Sequence, residues 1–477
     1  MRPCHLLPLG LTLALSAQET PTTLKDQQSL SVTIYNSNLA LVKDQREVKL
    51  PKGPCQLAFQ DVSAKIRPQT AILKNLTAPE DFWIVEQNFD FDLLSPDTLL
   101  EKYVGEKVGV ISLRPAERGE GQREVREEAL VLATNNGVVL QYADRIETSI
   151  PGRIIFPNVP ANLRARPTLV MSLNSGAATA QKLELSYLTS GLSWNADYAV
   201  SLSPDEKTMD MSGWVTLTNQ SGTTYPNATL QLVAGDVNTV NTTSYDNDEG
   251  DGYAEVAYDA APQMLEESLF EYHLYTLDRP TTLKENQTKQ VALLSASIIP
   301  VRKDYILRGQ SHFFTRSYGD TGEKLDIGVF VGFQNDEKSS LGKPLPAGVM
   351  RVYKNDSRGG SQFVGEDSIE HTPKNEEVRL KLGTAFDVTA KRKQTDFKKL
   401  PGSGKYRQTY ESAFEVTIKN AKDEAVTVTV LEPMPGDWQI LEKSHPFTKE
   451  AAGTAKFLVN VPAEGSTVLK YHVRVRL

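Results

Sequence analysis

"GWVTLTNQSGTTYPNATLQLVAGDV", residues 213–237, contains no lysine or arginine, two runs of alternating residues and a middle that carries Gly and Pro. Side chains of a strand point to opposite faces in turn. Val215 and Leu217 therefore share one face, with Trp214, Thr216 and Thr218 on the other. After the turn "NQSGTTYPN", Ala228, Leu230, Leu232 and Ala234 share a face, with Thr229 and Gln231 opposite. One apolar face and one Thr-rich face are what an antiparallel sheet half covered by a core requires. This stretch reads as a sheet and not as a site.

The C-terminus repeats the pattern. "FEVTIKNAKDEAVTVTVLEPMPGDWQI" sets Phe414, Val416 and Ile418, then Val426, Val428 and Val430, on buried faces. "TAKFLVNVPAEGSTVLKYHVRVRL" adds Phe457, Val459, Val461, Leu469, Tyr471, Val473 and Val475, the last four alternating with Lys470, His472, Arg474 and Arg476. Short strands joined by Pro, Gly and Asp turns predict an immunoglobulin-like sandwich over 401–477. "WVTLTN" at 214 and "EVTIKN" at 415 are alike, and each precedes a turn and a Val/Leu-Thr strand. Two related modules are expected from that likeness.

Elsewhere the signals are also short strands. In "SLSVTIYNSNLALVKDQREVKLPKG", Val32, Ile34, Leu39, Leu41, Val48 and Leu50 alternate with polar residues, and "PKG" marks a turn. "DLLSPDTLLEKYVG" is one of few helical signals: Ser95 can cap, Pro96 suits the first turn and Gly105 follows the end. "EKVGVISL", "EEALVLATNNGVVLQYADRI" and "GRIIFPNVP" are short strands, with Asn136-Gly137 as a two-residue hairpin turn. The expected class is all-β, built from several antiparallel sandwiches or small barrels. The expected layout is a signal at 1–17, an N-terminal β region at 18–103, a small barrel-like insertion at 104–165, a central β domain at 166–400 and the C-terminal sandwich at 401–477.

The first residues decide the compartment. "MRPCHLLPLGLTLALSAQE" offers Arg2, an apolar run from Leu6 to Leu15, and small residues Ala14, Ser16 and Ala17 before a polar stretch. That run is too short to span a bilayer and fits a secretory signal cut after Ser16 or Ala17. The protein is expected to be exported, to the periplasm, the cell surface or the medium. No later segment approaches the length of apolar residues that a membrane helix needs. Cys4 would leave with the signal and Cys55 would remain alone as a small core or turn residue, so no internal disulfide is expected.

The formal net charge of −8 argues against nucleic acid as the main partner. Its distribution is uneven. Twelve acids and no Lys or Arg lie between Lys207 and Arg279, whereas residues 379–407 hold nine basic residues and two acids. Within the acidic interval, loop 240–262 carries Asp246, Asp248, Glu249 and Asp251, hard oxygen ligands of the kind calcium takes. An EF-hand register begun at Asn247 would put Tyr258 at its twelfth position, so the loop departs from that pattern. Within the basic stretch, Lys391, Arg392, Lys393, Lys398 and Lys399 could hold an anionic polymer or lipid head group, or serve as a charged strand edge that resists aggregation.

The usual catalytic signatures are missing. His273, His312, His371, His445 and His472 are not paired at two- or four-residue spacing, and there is no His-Glu-x-x-His, Cys-x-x-Cys, phosphate loop or Gly-x-Ser-x-Gly elbow. "GEDSIEHTPKNEE" brings Glu366, Asp367, Glu370 and His371 close in sequence, either as a charged turn or, with Asp367 and His371 on one side, as a metal centre.

Many blocks in one order carry a family resemblance: "VTIYNSNLALVKDQREVKLPKG", "SAKIRPQTA", "LSYLTSGLSWNADY", the opening stretch, "YHLYTLDRPTTLKENQTKQVALLSA", "PAGVMRVYKND", "GEDSIEHTP" and "GDWQILEKSHPF". Together they resemble an uncharacterised family of exported bacterial proteins, whose C-terminal domain of unknown function is shared with mucoidy-inhibitor proteins. The resemblance implies a β-rich envelope or secreted protein with a link to surface polysaccharide, and it assigns no catalytic residues. Mucoidy-inhibitor proteins look to carry a long coiled coil before that domain, where residues 100–165 here read as short strands. The functional expectation is an exported, non-enzymatic β-protein that binds another envelope protein or a surface polymer. The alternative is an extracytoplasmic hydrolase or metal-dependent enzyme centred on His371.

Overall fold

The computed structural model describes residues 19–477 apart from 37, 91–92, 116–121, 136, 161–162, 236, 239–263, 319 and 403, and of 320–323 the backbone alone. The expected signal, Asn136 and the four carboxylates of the acidic loop lie outside the described residues. The chain is all-β, with mostly antiparallel sheets and one α-helix among the described residues. It forms two compact units. One holds the residues up to Ser193 with Thr218–Val233 and Arg279–Lys289, and the other holds Trp194–Leu217, Ala234–Asp278 and Gln290–Leu477.

In the first unit, Gly53–Gln60 lies between Glu19–Thr22, to which it runs parallel, and Thr168–Ser175, which also pairs with Phe82–Asp90. A second sheet runs through Tyr225–Ala234, Gln27–Tyr35, Leu39–Lys49, Ala180–Thr189 and Ile72–Asn75. In Leu39–Lys49 the alternation differs from the expected one. Ala40, Val42, Asp44, Arg46 and Val48 are buried, while Leu41 is only half-buried. Pairing register sets the phase of a strand, and here it turns two charges inward. Arg46 donates to Asp44 Oδ2 at 2.8 Å and to the Thr22 carbonyl at 3.0 Å, and lies 3.8 Å over the Phe59 ring. Gln27 donates to the other Asp44 oxygen. A buried charge persists only when it is paired and hydrogen-bonded, and Arg46 is both.

The helix Pro96–Lys102 forms where the sequence places it. Ser95 accepts from the Thr98 amide, Thr98 returns the bond to the Ser95 amide, and Pro96 occupies the first turn. Replacing Ser95 with Ala is expected to lower local stability by about 1 kcal/mol, read as faster amide exchange across 96–102; unchanged exchange would show that packing alone holds the turn. Beyond it, Lys107–Pro115, Gln122–Ala133, Val139–Gln141, Ile146–Glu147 and Arg153–Ile155 form a five-stranded sheet, with the last two strands at its edges. Val108, Val110, Val131 and Leu140 make its core, and Tyr103 donates to the Asn158 carbonyl at 2.8 Å.

Among the described residues, three sheets lie mainly in the second unit. Gln287–Pro300, Thr208–Asn219, Leu192–Leu202, Gly348–Asn355 and Ser361–Ile369 form one. A six-stranded sheet runs Glu377–Thr384, Gly328–Gln334, Arg302–Arg308, Val426–Pro433, Thr454–Val461 and Phe447–Ala451. A five-stranded sheet runs Asp320–Leu325, Val388–Pro401, Gln408–Asn420, Ser466–Arg476 and Asp437–Lys443. The last two share one core, in which Phe414, Val416, Ile418, Val428, Val430 and Phe457 are buried as their alternation requires. This core also takes Tyr305, Leu307, Phe314 and Val388, so the sandwich draws on strands well before residue 401.

The two strands of the opening stretch do not pair with each other. Thr208–Asn219 and Tyr225–Ala234 enter different sheets, and the latter runs parallel to Gln27–Tyr35. The connection is held by Asn219. Its side-chain amide donates to the Thr223 and Leu283 carbonyls at 2.9 and 3.2 Å and its oxygen accepts from the Ser221 amide at 3.1 Å. Asn420 repeats this, donating to the Glu424 and Pro462 carbonyls at 2.8 and 3.0 Å and accepting from the Lys422 amide at 3.0 Å. The pairings recur as well. Val426–Pro433 runs parallel to Arg302–Arg308, which pairs antiparallel with Gly328–Gln334, and that strand with Glu377–Thr384. Tyr225–Ala234, Gln27–Tyr35, Leu39–Lys49 and Ala180–Thr189 have the same order and the same directions. The likeness of residues 214–219 and 415–420 thus marks equivalent positions in a repeated strand arrangement.

Candidate functional site

Two surfaces of the second unit gather charge. The first is the outer face of the five-stranded sheet. Val388–Pro401 alternates from Val388 to Lys393, so Ala390 and Arg392 are buried while Lys391 and Lys393 are exposed. Cross-strand register sets Lys324 opposite Lys391, and Lys391 opposite Thr417. Lys393 lies opposite Glu415, which accepts from Lys470 at 2.6 Å, and opposite the backbone of Asp320. Thr389 lies opposite Lys419, an exposed residue. Strand spacing and rise make this patch about 15 Å across. Like charges directly opposite on neighbouring strands repel, and Lys324 with Lys391 is such a pair.

The basic residues singled out in the sequence are therefore divided. Lys391 and Lys393 share the outer face. Lys398 pairs with Asp396 at 2.8 Å, and Lys399, also exposed, stands opposite Tyr410. Arg392 points into the core. It makes two bonds to Glu432, at 2.6 and 3.1 Å, and a third to the Tyr471 hydroxyl at 3.1 Å. Its guanidinium also lies 4.8 Å from the Phe313 ring. Burial, reinforced by the Glu432 charge, pushes the Tyr471 hydroxyl far above its ordinary range. The pair leaves no space beside it: a Cβ on Gly309 would stand 2.0 Å from Glu432 Oε2.

The second surface is a cleft of about 170 Å³. Its apolar wall comes from Leu202, Val329, Val331, Val364 and Leu382. Two strand edges meet here, and Gly365 allows it: with φ of +157°, a Cβ at this position would sit 2.4 Å from the Leu382 carbonyl. At the mouth, the turn Ser203–Lys207 presents Glu206, whose two oxygens accept from Lys303 and Lys354 at 2.6 Å each. All three side chains are partly buried. Burial raises the Glu206 carboxyl, but the bonds and charges of the two lysines outweigh it and bring it down to about 2. Its folded-state value is depressed, so the ion pairs' contribution to stability is full above the ordinary value of 4.5 and is lost as pH falls toward 2. Glu206 holds this place in a left-handed backbone, at φ of +58°, a conformation that costs a residue with a side chain about 1 kcal/mol.

No sequence signal pointed to this cleft. Lys303 and Lys354 are ordinary charges in their local patterns, and Glu206 reads as part of a polar turn. The cluster around His371 is dispersed by its bonds. His371 Nδ1 accepts from the Ala347 amide at 3.1 Å, Asp367 accepts from the amides of Ser368 and Lys381, and Glu366 pairs with Arg351 at 3.2 Å. Among the described residues, no group of three or more His, Cys, Asp or Glu side chains is placed to hold a metal ion. Cys55 is buried, and burial raises its thiol above the ordinary value.

A family model for a domain of unknown function, DUF4139, matches residues 183–477, and the chain belongs to that family. The match agrees with the resemblance carried by the sequence blocks. No curated protein matches the chain. Among the described residues, no helix is long and apolar enough to cross a membrane.

Proposed function

We propose that this is an exported, non-enzymatic protein of the cell envelope that binds an acidic surface polymer through the outer lysine face of its C-terminal sheet. The observation that carries the reading is the opposition of Lys324 and Lys391 beside Lys419 and Lys393. Repulsion between opposed lysines is relieved by a repeating anion lying across them, and a polymer delivers many weak charges at once. The apolar run that ends in Ala14, Ser16 and Ala17 supports export, and the resemblance to proteins linked with surface polysaccharide supports the choice of polymer. Calcium at Asp246, Asp248, Glu249 and Asp251 would give such binding a metal dependence.

Co-sedimentation of the protein with separated membranes, cell-wall polymer and surface polysaccharide, each with calcium or with chelator, tests the reading. Saturable binding to an acidic polymer fraction is expected, and loss on chelation would implicate the acidic loop. Binding to a protein-bearing fraction alone would replace the polymer by a protein partner.

A further inference from the structure

The geometry points to a second binding site, separate from the lysine face: the cleft over Leu202, Val331 and Leu382 takes an apolar group that ends in a carboxylate, which Lys303 and Lys354 grip in the place Glu206 now holds. Three features of the cleft lead there. Its size is the first. A dry apolar cavity of about 150 Å³ accommodates a benzene-sized group, so about 170 Å³ suits a tail of roughly four to six carbons.

Charge is the second. Two ammonium groups face one carboxylate at the mouth, which leaves the rim one positive charge in excess. Each ammonium has three donors, and Glu206 uses one on each. An incoming carboxylate would find donors already aimed, beside an apolar wall that water does not solvate well.

The third feature is the way Glu206 is held. It comes from a short turn in which the Glu206 amide donates to the Ser203 carbonyl at 3.0 Å, and its backbone is left-handed. Strained backbone of this kind persists where surrounding bonds over-determine it and clusters at ligand-binding positions. Glu206 acts here as a built-in competitor: it bridges the two lysines when the cleft is empty and turns toward solvent when a ligand carboxylate arrives. No covalent step is involved.

The ligand chemistry has two sources, a free short-chain acid or the C-terminal residue of a polypeptide ending in Leu or Phe. Titration of the full-length protein with hexanoate, with an N-acetyl peptide ending in leucine and with hexanol, followed by amide NMR shifts, separates them. Hexanoate or the peptide is expected to shift resonances around Val331, Lys354 and Gly383 saturably, and hexanol to bind at least ~10-fold more weakly, because it brings no charge for the lysines. Stronger binding by the peptide assigns the chain end, and stronger binding by hexanoate assigns the free acid.

Glu206→Gln removes the competitor and is expected to tighten carboxylate binding by ~10-fold. Lys354→Met is expected to weaken it by a similar factor. A circular-dichroism melt confirms that each variant is folded; because the Glu206→Gln effect is a gain, it cannot arise from unfolding. Equal binding of hexanol and hexanoate, or no tightening in Glu206→Gln, would overturn the proposal. Neither result depends on the lysine face, where Lys324 and Lys391 are unchanged.

Discussion

Replacing Arg392 with Met is expected to lower the stability of the C-terminal sandwich by about 3–5 kcal/mol, because it leaves a buried carboxylate without its partner. Glu432 has no exposed side-chain surface, and its oxygens accept from Arg392 at 2.6 and 3.1 Å. Among the described residues, Arg392 is the cation that pairs with it. Glu432 would then take up a proton or draw in water, and either costs most of the energy. The reverse change, Glu432→Leu alone, strands the guanidinium between Phe313 and Phe414 and should cost a similar amount. The double variant Arg392→Met, Glu432→Leu is expected to recover most of the loss, since an apolar replacement of a buried pair is often neutral. Urea unfolding followed by the fluorescence of Trp438, which lies in this core, measures all three. Single variants within about 1 kcal/mol of the parent would show that the pair is reached by water and that the burial argument fails.

Replacing Asn420 with Ala, or Asn219 with Ala, is expected to cost about 2–3 kcal/mol each, since buried backbone groups left without partners carry a desolvation penalty. Each asparagine serves one carbonyl and one amide of the loop that follows its strand and one carbonyl of a segment distant in sequence. Alanine removes these bonds, and at 219 also the one that Asn219 Oδ1 accepts from the Ser221 hydroxyl at 2.8 Å. Asn420→Asp separates the roles: the acceptor for the Lys422 amide stays, while a carboxylate replaces the donor to Glu424 and Pro462 and repels their carbonyls. It should destabilise at least as much as alanine. Matching losses at 219 and 420 would support equivalent roles in the repeated arrangement; a large loss at one with none at the other would reduce the likeness of "WVTLTN" and "EVTIKN" to coincidence.

The β class was legible because alternation is unbroken where one face is buried. Phe414, Val416 and Ile418, or Leu469, Tyr471 and Val473, need only the period of two to be placed. The Ser95 cap was equally local, since capping involves neighbours within four residues. Pairing was less legible. Residues 213–237 read as two strands and a turn, yet the strands enter different sheets, and the turn is tied in part to the Leu283 carbonyl, which sequence spacing does not bring near Asn219. Arg392 shows the limit for a site: within "AKRKQTDFKK" it is one cation among five, and only its position in the alternation distinguishes it. That alternation, with Ala390 buried two residues earlier, would have placed it inward. The cleft was not legible at all. Glu206 comes from a turn and Lys303 and Lys354 from strands of two different sheets, and no pattern in one stretch can announce a meeting of three.

The lysine face is the central functional claim, and charge reversal tests it most directly. The full chain and the Lys324→Glu, Lys391→Glu double variant would be titrated with a polyuronate and with a neutral glucan at several salt concentrations. The account predicts that the parent binds the polyuronate alone, that binding weakens as salt screens the lysines, and that the double variant loses it while its thermal unfolding stays close to the parent's, because one pair of opposed like charges replaces another. Equal binding of the polyuronate by parent and double variant, or none by either, would contradict the claim.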